Sequence, residues 1–500
     1  MTFTFRPGPA TRPRPTRATA RTRRTALAVV MTATLLDLVD LTVVTVALPT
    51  IRTGLGVPDG TLPWIAGGYA LAFAVVLVPG ARLGGVHGRR RVFLLGVGAF
   101  TVASAAGGLA PDAGTLVAAR VAQGAAAALM VPQVPHLVDM LSPVAGRRRA
   151  TAVFGTVIGL GALAGPVVGA LLLESDLFGL GWRALFLVDV PVGVACLLPV
   201  RWCVVERRDP LADAPDWPGT AVVAAGVLLI LYPLGRGPGA GWPVWVPLSI
   251  AAGTGLVALF VRRERTRSRS GAGPLVVPPL FAVRGYAVGI GIELVHGVLG
   301  GLYLLAWCFH LQVGLGWSPL RAALCMLLFG AAVAVAAGLS CDVLFPRYGR
   351  AVLQAGALTQ LTGALLYGWQ TRALGTDIQI WQILPALLLL GTGMGLTVAP
   401  LPTLLLTEVP PEHRHAAAGL GTTMYQLGTA LGICLVPSAF LRLLDTGHPV
   451  PAAFSHTLRW LACLLLGVFA LTCALPRGPG QRRAGGPLTG AAAGDTAPAR

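Results

Sequence analysis

Long apolar runs recur along this chain and constrain it more than any other feature. About 20 mostly apolar residues let a helix cross the hydrocarbon core of a bilayer. Windows of that kind fall at 26–48, 62–81, 92–110, 115–138, 150–173, 184–200, 217–235, 243–261, 285–308, 319–341, 351–369, 380–406, 416–440 and 455–475, fourteen in all. Of the 500 residues 55% are apolar and only 12% charged, with a mean hydropathy of +0.73. A soluble fold cannot hide that much apolar surface in one core. The class this predicts is an all-α integral membrane protein, which excludes a soluble enzyme, a disordered protein and a small disulfide scaffold.

The net charge of +18 comes from 38 arginines, with no lysine at all, against 20 acids. In a soluble protein such a balance suggests nucleic acid. In a membrane protein it reports which loops face the cytoplasm. With the N-terminus inside, thirty arginines fall on inner segments, seven on outer ones, and Arg120 within a helix. This positive-inside pattern predicts a plasma-membrane protein with both termini cytoplasmic, anionic lipid as the neighbour of its basic loops, and no nucleic-acid partner. Segment 1–25 is rich in Arg, Pro and Thr without acids, and 476–500 in Gly, Ala and Pro, so both are expected to be disordered tails. Arg23-Arg24 before an apolar run is faintly like a twin-Arg export signal. Asp37, Asp40 and the lack of a small-x-small cleavage site favour a retained first helix. The eight Cys form no CxxC pair and sit mostly in apolar runs, as packing residues do.

An internal repeat organises the windows. Leu36-Asp37-Leu38-Val39-Asp40 is matched by Ile292-Glu293-Leu294-Val295-His296, Leu160-Gly161 with Gly165 by Leu427-Gly428 with Gly432, and Gly88-Arg89 by Gly349-Arg350. Three matches in the same order predict two related six-helix halves, 26–205 and 276–475. Segment 206–275 then holds two inserted helices and a linker. Halves of this kind form one class of transporter, with substrate bound near mid-membrane between them.

Ionisable groups within a membrane are costly and are functional by default. Asp37 and Asp40 share a helix face, and two carboxylates in low dielectric cannot both stay ionised cheaply. One is expected to hold a proton, as a proton carrier must. Glu293 and His296 repeat the spacing, and an acid–imidazole pair can also pass a proton. Arg120 needs an anionic or carbonyl partner, either the acids of the first helix or a purely structural one. Gly161, Gly165 and Gly169 make a smooth face for close helix contact, and Pro166 bends that helix. Gln123, Gln312, Tyr425 and Gln426 are expected at a substrate cavity. His310 is expected to be a satisfied interfacial histidine. No metal site or cofactor is expected, and without lysine there is no nucleotide-binding loop of the GxxxxGK[ST] type.

Taken together, 26–475 resembles the fourteen-helix drug:proton antiporters of the major facilitator superfamily, the EmrB/QacA-type branch. Asp40, Thr42, Ala47, Leu48 and Pro49 match its helix 1 motif, with Thr45 where Asn is usual. Trp64 and Tyr69 match the start of helix 2, and Arg120, Gln123 and Gly124 match helix 4. Gly161, Gly165, Pro166 and Gly169 match the antiporter motif of helix 5. Trp182, Arg183, Phe186, Pro191 and Gly193 match the entry to helix 6, with Asp189 where Asn is usual. Asp216, Trp217 and Gly219 resemble the start of helix 7, and Leu311, Gln312, Ser318 and Pro319 the helix 9–10 turn. The gating loop after helix 2 is matched by Arg82, Gly88, Arg89 and Arg90, but Gly85 stands where the family has an Asp that latches the cytoplasmic side. A weaker latch is expected.

The resemblance implies a monomeric exporter of small organic molecules driven by protons, with no enzymatic activity. Asp37 and Asp40 would bind the proton, Glu293 with His296 would complete the coupling or meet substrate, and Arg120 would promote proton release. The acids suit a cationic or amphipathic cargo. Two alternatives stay open: export of an endogenous natural product, siderophore, lipid or amino acid, and a non-transporting membrane receptor or scaffold, motivated by Gly85.

Overall fold

The computed structural model describes residues 20–58, 60–142, 146–203, 215–236, 241, 243–270 and 275–475. Most of the two terminal tails and part of the 206–275 linker lie outside these residues. The first half holds α1 (Ala20–Leu55), α2 (Leu62–His87), α3 (Arg89–Gly108), α4 (Ala113–Met130) continued by α5 (Val134–Leu141), α6 (Arg147–Glu174), and α7 (Arg183–Leu187) continued by α8 (Asp189–Cys203). Two further helices follow, α9 (Trp217–Arg236) and α10 (Trp245–Arg269). The second half holds α11 (Arg284–Phe309), α12 (Pro319–Leu339) with α13 (Phe345–Tyr348), and α14 (Arg350–Leu374). It ends with α15 (Ile380–Val398) and α16 (Leu401–Thr407), then α17 (Arg414–Val436) with α18 (Arg442–Asp445), and α19 (Val450–Ala474).

Helices cover all fourteen apolar windows, but the count that passes on length and hydropathy is smaller. Among the described residues it is eleven, or twelve with the bent α6 taken as one span. The 184–200 window is split at Val188 into α7 and the 15-residue α8. In the 351–369 window, α14 carries Gln354, Gln360 and Gln370, which dilute its apolarity. The helices also run past their apolar windows into arginine. The first begins at Ala20 rather than at 26, α3 begins at Arg89, and α10 ends at Arg269. Arginine is a good helix former, and its long stem can keep the guanidinium in water.

Close helix pairing runs through small residues. In the first half the small residues of α6 lie against α1. A Cβ on Gly161 would come within 2.8 Å of Leu38 Cβ and one on Gly169 within 3.2 Å of Val43, while one on Gly165 would overlap the Thr42 hydroxyl. In the second half α11 and α17 pair the same way, with Gly297 against the Tyr425 carbonyl and Gly428 against that of Leu294. Gly88 and Gly349, the repeat-related loop glycines, both have positive φ, 103° and 54°, where one helix stops and the next begins. Within α6 the segments Val153–Gly161 and Leu163–Glu174 meet at 43°. Pro166 accounts for this bend, since it lacks the N–H that would bond to the carbonyl of residue 162, four positions back.

The pair of α9 and α10 is clamped at both ends. Near one end Asp216 accepts from the Gly219 N–H at 3.2 Å and takes a two-pronged contact from Arg263, at 3.0 and 2.9 Å. Near the other, Tyr232 packs between Trp64 and Trp245 with ring centroids 5.9 and 6.1 Å apart. Arg263 beside Asp216 holds that carboxyl below the usual carboxylate range. A depressed folded pKa stabilises fully above the unfolded value near 3.9, and the contribution is lost as pH falls through the folded value. Asp216→Asn is therefore expected to lower the melting temperature only slightly at neutral pH, because Arg263 is partly exposed and solvent screens the pair. The difference from wild type should vanish in acid. A gap that persists undiminished in acid would rule out the clamp as its cause.

A buried charge network as candidate functional site

Arg120 lies inside α4 with 1% of its surface exposed, and an unpaired guanidinium there would be costly. Gly124, one turn further on, faces the Tyr69 carbonyl so closely that a Cβ would overlap it. That close approach of α4 to α2 brings the guanidinium to its partners. Its Nε donates to the Ile65 carbonyl at 3.1 Å. One Nη group donates to Asp40 Oδ2 at 2.6 Å and to Gln123 Oε1 at 2.9 Å. Its carbon sits 4.6 Å from the centre of the Tyr69 ring. The Tyr69 hydroxyl donates to Asp37 Oδ1 at 2.5 Å.

The network continues into α3 and α8. Gln123 Nε2 donates to Asp40 Oδ1 at 3.2 Å and to Ser104 Oγ at 2.8 Å. Ser104 donates to Asp189 Oδ2 at 3.4 Å. Gly193 makes the approach possible, because a Cβ there would overlap the Thr101 hydroxyl and push α8 from α3. Four helices of the first half and α8 thus converge on one cation and three carboxyls, all buried.

The surroundings of Glu293 and His296 are sparser. Glu293 is buried on α11 and, among the described residues, has no hydrogen-bond partner. His296 does not pair with it: its ring nitrogens lie 3.2 Å from the Ile292 carbonyl and 3.0 Å from Thr397 Oγ1 on α15. An i, i+3 spacing brings two residues near one face, but the rotamer that reaches Thr397 carries the imidazole to a different helix. Tyr425 on α17 reaches α11 near Gly300, and Gln426 beside it is buried.

Two residues expected at a cavity serve elsewhere. Gln123 has no exposed surface and is a member of the network. Gln312 joins the halves, donating to the Val46 carbonyl at 2.9 Å. At the same end of the bundle Cys308 donates to the Thr45 carbonyl at 3.2 Å, and the Leu320 N–H to Glu174 at 3.1 Å. His310 departs from expectation as well. It is fully buried with neither ring nitrogen hydrogen-bonded, stacked on Phe454 at 4.1 Å. Arg82 lies on α2, and Gly88, Arg89 and Arg90 form the α2–α3 junction. No group of three or more His, Cys, Asp or Glu among the described residues could hold a metal ion. Sequence reasoning had no signal for Ser104, registered Tyr69 only as a match, and noted Asp189 only as a departure from the family's Asn.

The Major Facilitator Superfamily model matches residues 30–433. The chain belongs to the major facilitator superfamily. It is 37% identical to the probable actinorhodin transporter of Streptomyces coelicolor, over 85% of this chain and 73% of that one. It is 34% identical to the cephamycin export protein of Amycolatopsis lactamdurans, over 91% and 93% of the two chains. Among solved structures, a D-xylose–proton symporter superposes with a TM-score of 0.64 at 16% identity, over 91% of this chain and 98% of that one. That likeness concerns the fold. As a superfamily member this is a multi-pass membrane transporter of small molecules.

The contacts at the Gln312 end yield a prediction. Losing one buried amide hydrogen bond costs about 1 kcal/mol, enough to raise an open population about fivefold. Gln312→Leu, which also removes the 3.1 Å contact of Gln312 with Cys308 Sγ, should speed maleimide labelling of the buried Cys308 by at least that factor, read by peptide mass spectrometry. An unchanged rate would show that the bond to Val46 does not hold this end shut.

Proposed function

We propose that the chain exports small organic molecules, natural-product antibiotics or drugs, from the cytoplasm in exchange for protons, by alternating access. The observation that carries this reading is the buried Asp37, Asp40 and Arg120 network on helices packed through small residues. Proton-binding groups enclosed beside a packed, bent helix can be presented to one side and then the other as the halves rock. Relatives named for actinorhodin transport and cephamycin export support the cargo class.

In this reading the chain crosses the plasma membrane fourteen times, as in the EmrB/QacA-type branch, with both termini cytoplasmic and anionic lipid against the arginine-rich loops. The halves are 26–205 and 276–475, and the inserted pair lies in 206–275. Asp37 and Asp40 carry protons, and Arg120 drives their release. Glu293 and His296 respond to substrate from the second half, and Tyr425 and Gln426 line the cavity. Gly161, Gly165, Pro166 and Gly169 keep the exchange tight. The junction of Arg82, Gly88, Arg89 and Arg90 closes the cytoplasmic side, and the protein works as a monomer.

The test uses inverted membrane vesicles with ethidium as cargo. Acidifying the lumen should drive ethidium uptake only in vesicles that contain the protein, and collapsing the proton gradient should abolish it. Uptake that persists without a gradient would overturn proton coupling. Absence of uptake across a panel that includes actinorhodin and cephamycin would overturn export.

A further inference from the structure

The seam between α2 and α17 does not close along its whole length, and α9 and α10 lie over the part that stays open. At one end the seam is tight. A Cβ on Gly67 would meet Ile433 at 3.4 Å, and Ala70, Leu231, Ala430 and Cys434 bury one another in a single cluster. Further along α2, towards Pro79, a cavity of about 70 Å³ opens. Its walls include Ala74 and Val78 of α2, Val223 of α9, Phe260 of α10 and Met424 of α17. Leu275 and Val276, on the segment leading into α11, complete the lining. Glu264, a buried residue of α10, holds them there, its carboxylate accepting from the Val276 N–H at 2.8 Å. By size the space would admit water, but walls this apolar stay dry and take apolar guests instead.

One polar group interrupts these walls. Thr423 of α17 lines the cavity at 8% exposure, and its hydroxyl is buried with no hydrogen-bond partner among the described residues. Thr220 lines it too, but its hydroxyl already donates to the Asp216 carbonyl at 2.8 Å. An unpaired buried hydroxyl is costly, and a ligand group that pairs with it recovers that cost. Leu420, Thr423, Met424 and Leu427 form one stripe of α17, whereas Tyr425 turns to α11 near Gly300. The cavity is therefore separate from the face proposed above to meet substrate. The geometry points to this cavity as a binding site for a small amphipathic molecule, about one aromatic ring in size, whose hydroxyl or N–H group pairs with Thr423. A guest here sits between helices of the two halves. Its effect on transport rests on the export reading above: the guest wedges α2 from α17 and slows their rocking, so it regulates export rather than being carried.

Binding can be tested without transport. The probe is a hydroxyphenyl trifluoromethyl diazirine, photolysed with the full chain in phosphatidylethanolamine–phosphatidylglycerol vesicles, with crosslinked residues read by peptide mass spectrometry. Labelling should concentrate on the cavity walls and be displaced by excess phenol. Ala74→Phe fills the space and should abolish it. Thr423→Val keeps the shape without the hydroxyl and should raise the phenol concentration needed for displacement about fivefold. It also serves if Ala74→Phe does not fold. Labelling that phenol does not displace, spread over outward residues such as Leu95 and Val335, would overturn the proposal. So would equal displacement in Thr423→Val and wild type. Unlabelled walls, with a phospholipid retained by wild type and lost from Ala74→Phe, would overturn it by assigning the space to a lipid chain. Ethidium movement then separates the two claims. Displaceable labelling with no ethidium movement in wild type leaves the site standing and sinks the export reading. Ethidium movement with no displaceable labelling does the reverse.

Discussion

Asp40→Asn should reduce proton-driven ethidium movement in inverted vesicles by about a hundredfold, the lower range for losing a positioned proton-transfer group. It should do so without unfolding the protein. Asparagine keeps the shape of the side chain and one acceptor for Arg120, whose Nη group now lies 2.6 Å from Asp40 Oδ2. The buried cation also has a second source of compensation. Asp37 lies across Tyr69 from the guanidinium, so it can ionise in place of Asp40. Arg120→Ala should behave differently. Removing one partner of a buried pair costs about 3–5 kcal/mol, here relieved only if all three carboxyls take up protons. The loss should therefore be large at alkaline pH and shrink as pH falls. Thermal melting of the purified protein across pH separates the two variants. Full transport by Asp40→Asn would remove this residue from the proton path. A melting loss in Arg120→Ala that is independent of pH would show that the carboxyls do not depend on its charge.

Gly165→Leu should be at least as damaging by a purely steric route. Even a Cβ at this position overlaps the Thr42 hydroxyl, which already bonds back to the Leu38 and Val39 carbonyls of its own helix. The larger side chain must part α6 from α1 at Thr42, two residues from Asp40. Overpacking of a close contact costs about 1–3 kcal/mol, and here it would also displace the carboxyl from Arg120. Both stability and proton-driven efflux should fall. Gly159→Ala on the same helix is the control. A Cβ there meets nothing within 4 Å, so the change should be neutral or stabilising by up to about 1 kcal/mol. Gly428→Leu, against the Leu294 carbonyl in the second half, should reproduce the Gly165 effect. Equal melting temperatures for Gly165→Leu and Gly159→Ala would show that the α1–α6 seam yields freely.

Much of the fold was legible along the chain because a membrane imposes local rules. Any segment that crosses hydrocarbon must satisfy its own backbone, so it must be an apolar helix, and arginine then sorts by side. Those rules act residue by residue, which is why helices lie over every apolar window and why Gly88 and Gly349 fall at helix junctions. The helix ends were less legible, since helix continues through arginine that hydropathy counts as loop. Asp37, Asp40 and Arg120 stood out because a charge within an apolar run is costly wherever its partner lies. What each charge touches depends on rotamers and on how closely helices far apart in sequence approach, and no local pattern encodes that. So His296, three residues from Glu293, turns to Thr397, and Gln123 is consumed in the network. Asp189, 85 positions beyond Ser104, accepts from its hydroxyl because Gly193 lets α8 settle against α3.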